Sequence, residues 1–185
     1  MGWERIARLF FANAGSSRMP PPSHDPSLID LHDQPGHLIR RAHQISVSVF
    51  LDVVGREVTP IQYAVLKVLG EQPGIDQLTL AQEVAIDTSS CADIAARLEA
   101  KGWISRTVGV RGRRRLELTA AGEALLGSLK SPIQTLQSTL LHGLSPQESA
   151  DLLTLLRKFV AHNNERSRAP LRRGASTAMT KRSTP

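Results

Sequence analysis

Between Thr59 and Thr119 the spacing of apolar residues changes character once, and that change narrows the possible folds more than any other feature of the chain. Up to Gly102, apolar side chains recur at three- and four-residue steps, as one buried helix face requires. Beyond it they alternate. Thr59-Pro60-Ile61-Gln62 is a capping box with proline at the first helical position, and the helix it opens carries Ile61, Val65, Leu66 and Leu69 and ends near Gly70. Pro73-Gly74 makes a turn. Asp76 caps a short helix holding Leu78, Ala81 and Val84, and Asp87 caps a third, Thr88 to Lys101, which Gly102 ends in a left-handed conformation. Trp103-Ile104-Ser105-Arg106 and Leu116-Glu117-Leu118 then read as two short strands around a loop of Gly and Arg.

The flanks are helical. A helix from about His37 to Val54 carries Leu38, Ala42, Ile45 and Val49. Thr119 caps a long helix with Leu125, Leu129, Ile133, Leu136 and Leu140, which Pro132 is expected to kink. Ser145-Pro146-Gln147-Glu148, a second capping box, opens a last helix through Leu152, Leu155, Leu156 and Phe159 to about Asn163. The expected organisation is a disordered or extended arm over 1–34, a helix within 35–57, a central lobe over 58–118, two helices within 119–164, and a disordered basic tail over 165–185. The fold class is mostly α, with a two-stranded β wing.

Two helices joined by a tight turn can place the second in the major groove of DNA. The third helix of the central lobe divides its labour accordingly. Cys91, Ile94, Ala95 and Leu98 fall on one face and should pack inward, while Thr88, Ser89, Ser90, Asp93 and Arg97 are free to meet base edges. Its N-terminus also offers backbone N–H groups to a phosphate. Taken alone, this is an ordinary amphipathic helix with a solvated face. The loop shifts the balance: Arg111-Gly112-Arg113-Arg114-Arg115 puts four cations at a hairpin tip, with Arg106 at its base. Such a cluster repels itself and suits phosphate contact and insertion into a narrow minor groove.

In this order the motifs resemble the MarR family of transcription regulators, over roughly residues 37–163. Thr59 to Leu66 looks like the start of that family's DNA-binding lobe. Leu80-Ala81 with Ile86-Asp87 resembles its helix-turn-helix. Arg97 to Arg106 matches its step from recognition helix to wing, and Leu118-Thr119-Ala120-Ala121-Gly122 its exit from the wing. The resemblance implies a winged helix-turn-helix lobe plus a helical dimerisation lobe, a homodimer binding a pseudo-palindromic operator on double-stranded DNA, and repression as the commoner mode. It also implies an aspartate two residues before the wing arginine. Here Arg113 matches that arginine, and Arg111 stands where the acid belongs. That points to a more mobile wing that relies more on phosphate attraction.

Family members commonly bind small aromatic anions between the two lobes, and the polar start of the first helix supplies the candidates: His37, Arg40, Arg41 and His43, with Tyr63. The competing reading is a solvated helix end or a bridge to a partner chain. Gln34 to Gln44 is similar to MarR-type regulators of nicotinate degradation, so nicotinate or a hydroxylated relative is the implied effector.

The net charge of +6 is less telling than it looks. Residues 166–185 hold six cations and no acid, which leaves 17 basic and 17 acidic side chains elsewhere. No Gly-rich phosphate loop, nucleophile elbow or metal-binding pair stands out, so neither catalysis nor a cofactor is expected, and the scattered histidines form no ligand cluster for a metal. Cys91, the single cysteine, is expected to be a small buried residue rather than a redox switch. The apolar start is broken by Glu4, Arg5 and Arg8, so despite a faint cleavage-like Ala12-Asn13-Ala14 the expected location is cytoplasmic, without a membrane span. Two rival functions remain: a winged-helix protein-interaction module, and a non-specific DNA-binding protein driven by the basic tail.

Overall fold

The computed structural model describes residues 30–108 and 114–172. The chain divides into two units, residues 1–43 and 44–185, and the division falls inside the first helix. In the first unit Asp30 accepts the His32 N–H at 3.0 Å and so caps a single 3-10 turn, Leu31–Asp33. Helix α1, Pro35–Val53, follows directly. Its proline lacks an N–H that a first-turn position has no use for.

The second unit holds everything from Gln44 onward. Helix α2, Pro60–Glu71, starts on the expected capping box: the Thr59 hydroxyl accepts the Gln62 N–H, and the Gln62 side chain accepts the Thr59 N–H at 3.0 Å. Then come strand β1 (Ile75–Asp76), helices α3 (Gln77–Glu83) and α4 (Thr88–Ala100), and strands β2 (Ile104–Val108) and β3 (Arg114–Leu118). The sheet has three antiparallel strands in the order β1-β3-β2, with Ile75 opposite Leu116 and Ile104 opposite Leu118. The expected two-stranded wing thus gains a third strand. β1 is only two residues long, too short for alternation to be visible in sequence.

One core closes this unit. Leu66 and Leu69 of α2, Leu80 of α3, Ala95 and Leu98 of α4 and Leu116 of β3 are fully buried together with Val65, Cys91 and Ile104. Burying each large aliphatic side chain contributes about 1.5–3 kcal/mol relative to leaving it in water. Gly102 ends α4 at φ +73°, its N–H donating to Glu99 O at 2.8 Å and the Trp103 N–H to Leu98 O at 3.0 Å. That double closure, with glycine in the left-handed position, is what the sequence predicts there. Gly122 answers a different need. A Cβ on it would sit 2.0 Å from the Trp103 carbonyl oxygen, so only glycine lets the following helix lie against the wing's base.

The long helix expected after Thr119 is two helices, α5 (Ala120–Ser128) and α6 (Lys130–Leu140), parted at Leu129. The break lies three residues ahead of Pro132 because a proline ring crowds the carbonyl four residues back, here that of Ser128. Leu129, 6% exposed, points into the core at the joint. Helix α7, Pro146–Asn163, opens on its own capping box and buries none of its residues. Among the described residues no helix is long and apolar enough to cross a membrane.

Candidate DNA-reading surface

The turn between α3 and α4 aims the second helix. Ala85 sits there at φ 53°, a left-handed conformation that L-residues other than glycine adopt at a cost. The Ile86 N–H reaches Ala81 O at 3.0 Å and the Ala85 N–H reaches Gln82 O at 3.3 Å, which closes the end of α3. Asp76 caps α3 by accepting the Leu78 and Thr79 N–H groups, both at 3.1 Å. Both helices of the pair are therefore fixed at their starts by aspartate.

At the start of α4 the Asp87 carboxylate accepts the Ser90 N–H at 2.8 Å, the Ser90 hydroxyl at 2.7 Å and the Ser89 hydroxyl. The Ser89 hydroxyl, the Ser90 N–H and the Ser90 hydroxyl, in that order, hold Asp87 well below the usual carboxylate range. A carboxylate held in its ionised form therefore caps the N-terminus of the helix and takes up the Ser90 N–H, setting a negative charge beside the backbone N–H groups expected to face a phosphate. With their hydrogens already given to Asp87, the oxygens of the exposed Ser89 and the half-buried Ser90 are left as acceptors. Thr88, Ser89, Asp93 and Arg97 are exposed and Ser90 half-buried, while Cys91, Ala95 and Leu98 are buried behind them. The two faces fall as the periodicity predicts. Burial pushes the Cys91 thiol up to about 11, with the Asp87 charge adding to the effect, so it carries no thiolate at neutral pH.

The wing is fastened to this helix. The Nε of Arg106 on β2 donates to the Glu99 carboxylate of α4 at 2.7 Å, and its Nη2 contacts the same oxygen. Sequence reasoning placed Arg106 against DNA and missed Glu99. An ion pair across a glycine turn has no periodic signature, although a glutamate seven residues before an arginine across that turn is a visible hint. Lys101 bonds the Glu57 carbonyl at 2.7 Å and lies 4.2 Å from the centre of the Trp103 ring, covering the hinge between helix and wing. Of the wing cations, Arg115 is exposed on β3 and Arg114 begins that strand, whereas Arg111 and Arg113 lie outside the described residues.

The effector candidates fall in different units. In the first, His37 is half-buried, its Nε2 is buried without a hydrogen-bond partner among the described residues, and its ring meets His32 edge-on at 5.4 Å. Burial, then Arg40, His32 and Arg41, lower its pKa against the smaller opposing pull of Asp30, which favours a neutral imidazole. Arg40, Arg41 and His43 are exposed on the same helix. In the second unit Tyr63 on α2 is half-buried, its ring 6.4 Å from that of Phe50. Among the described residues no group of three or more His, Cys, Asp or Glu side chains could hold a metal ion.

Comparison with known proteins agrees with this geometry. The MarR family model matches residues 58–115, from α2 through β2 to the first two residues of β3. The PcaV transcriptional regulator of Streptomyces coelicolor, solved in complex with its natural ligand, is 32% identical, with a TM-score of 0.69 over 72% of this chain and 96% of that one. Bordetella bronchiseptica BpsR, whose DNA binding is regulated by 6-hydroxynicotinic acid, is 27% identical, with a TM-score of 0.69 over 72% of this chain and 99% of that one. The transcriptional repressor NicR of Pseudomonas putida is 28% identical over 71% of this chain and 85% of its own length. These relatives are transcriptional regulators, and the chain belongs with them to the MarR family as a winged helix-turn-helix transcriptional regulator.

Proposed function

We propose that the protein is a homodimeric repressor that reads a pseudo-palindromic operator in the cytoplasm and lets go of it when a small aromatic carboxylate binds. It acts by binding rather than catalysis. The observation that carries the reading is the outward face of α4, where Thr88, Ser89, Ser90, Asp93 and Arg97 stand clear of a core that Cys91, Ala95 and Leu98 complete. In the major groove Ser89 and Ser90 accept from base amino groups, Asp93 accepts from cytosine N4, and Arg97 pairs with guanine O6 and N7. Arg111, Arg113, Arg114 and Arg115 serve the phosphates and the adjacent minor groove. Arg106 holds the wing at its angle through Glu99.

Dimerisation is supported by α7. Leu155 is 63%, Val160 55% and Phe159 47% exposed on a helix that buries nothing in one chain. A second copy supplies the cover and sets two reading helices at a fixed spacing. For the effector we propose nicotinate or a hydroxylated relative, held by Arg40 and Arg41 with His37 and His43. The Nε2 of His37, without a hydrogen-bond partner among the described residues, favours a ligand that brings a polar atom. The 6-hydroxynicotinic acid control of BpsR, a relative spanning most of this chain, favours the chemical class.

The test is a band-shift titration against DNA from the gene's own upstream region, with excess competitor, in the presence and absence of aromatic acids. The proposal expects binding that resists competitor and is relieved by a pyridine carboxylate. Resistant binding that no acid touches removes the sensor role and keeps the regulator. Binding that competitor abolishes favours the non-specific reading, and no binding to any DNA favours a protein-interaction module.

A further inference from the structure

The chain does not simply trail away after α7. A 3-10 turn, Asn164–Arg166, follows the helix, and the backbone then doubles back on itself. The Leu171 N–H donates to Oδ1 of Asn164 at 2.8 Å, and Nδ2 of Asn164 donates to the Leu171 carbonyl at 3.2 Å. Both terminal nitrogens of Arg172 donate to the Glu165 carboxylate, at 2.9 and 2.7 Å. One further bond fixes where this strap lies. The Arg172 N–H donates at 3.0 Å to the carbonyl of Gln82, the same oxygen that closes the turn at Ala85 between α3 and α4. Arg168, Ala169 and Pro170 consequently share a concavity of about 270 Å³ with Ile86, Asp87 and Thr88, at the start of the reading helix.

Charge gives that placement its meaning. The stretch from Arg166 onward carries the entire positive excess of the chain, and the rest is balanced. Arg166 and Arg168 are exposed, and among the described residues their guanidinium groups have no ion pair. Asp87 sets a negative charge at the beginning of α4, and a guanidinium in the same concavity offsets it.

We propose that the strap, residues 164–172, is a second DNA-binding element that carries Arg166 and Arg168 to the phosphate backbone flanking the groove α4 reads. This rests on the DNA-reading function proposed above. The strap adds affinity without sequence preference, because a phosphate is the same beside every base pair.

The experiment uses the full chain and its Arg166→Gln/Arg168→Gln variant, titrated over a range of salt against the upstream duplex and a random-sequence duplex. The proposal expects affinity to fall about tenfold for both duplexes alike, and the slope of log affinity on log salt to flatten by roughly 0.9 for each phosphate no longer neutralised. Unchanged affinity and slope overturn it. So does tighter binding, which would make the strap a cover over the reading surface. Asn164→Ala keeps every charge while releasing the strap; it should speed hydrogen exchange at the Arg172 amide and weaken binding by part of the same amount. Faster exchange with undiminished affinity overturns the claim that placement matters. If the wild-type chain binds neither duplex, the DNA-reading function fails and the strap proposal falls with it.

Discussion

The lobe from Val58 to Leu118 and helix α7 spend the same kind of residue in opposite ways. Leu66, Leu69, Leu80, Leu98 and Leu116 are wholly buried, whereas Leu152, Leu153, Leu155 and Leu156 are between 39% and 63% exposed. In the lobe each apolar stripe has its cover close by in sequence: α2 lies over α3 and β3, and α4 leads through Gly102 straight into β2. On α7 the stripe recurs at three- and four-residue steps, and no residue of the helix is buried. The lobe's stability is accordingly a property of one molecule. On the proposed homodimer the state of α7 depends on concentration, as for any surface completed by a second copy.

That contrast can be broken from either side. The largest effect on stability belongs to Leu98→Ala, which empties the centre of the lobe where α4 meets the sheet. It should cost about 2–5 kcal/mol in urea denaturation and take DNA binding with it. Leu155→Glu on α7 should do the reverse. The lobe's fold and spectrum persist, sedimentation shifts to the monomer, and operator affinity drops at least tenfold as one reading helix is lost per complex. A monomer that keeps full operator affinity would erase the distinction.

Smaller changes sharpen it within the lobe. Ala85→Gly relieves the left-handed strain in the turn and should gain about 1 kcal/mol, read as a higher urea midpoint at unchanged slope. Asp87→Ala removes the cap and should lower the midpoint by far less than Leu98→Ala. Because the folded-state pKa of Asp87 is depressed, its contribution is fully present above the unfolded value of about 3.9 and is lost as pH falls through the folded one. Wild type and Asp87→Ala should therefore differ by a constant amount from pH 8 to pH 5 and converge only in strong acid. Convergence near neutrality would mean that the serine hydrogen bonds do not hold the carboxylate ionised.

What the sequence discloses follows the same division. Local chemistry is legible: both capping boxes, the aspartate caps of α3 and α4, the glycine end of α4 and its two faces all stand where spacing puts them. Those features involve residues within four positions of one another, so periodicity and cap preference carry them. Features made by distant partners are not legible. β1 exists only through Ile75 and Asp76 meeting Leu116 and Arg115. The Glu99–Arg106 pair needs the turn at Gly102 to bring it together. The return of residues 164–172 onto Gln82 bridges nearly half the chain. Pro132 is visible as a disruption, but its effect falls four residues upstream, at the carbonyl it crowds. The serines of α4 are found by position, and only the structure shows their hydrogens committed to Asp87.

The central claim, two reading helices held at fixed spacing by α7, is tested most directly by a hydroxyl-radical footprint on the upstream DNA. The account predicts two symmetric protected patches with centres one helical turn apart, about 10 base pairs. A single protected patch, or uniform weak protection along the duplex, would contradict it.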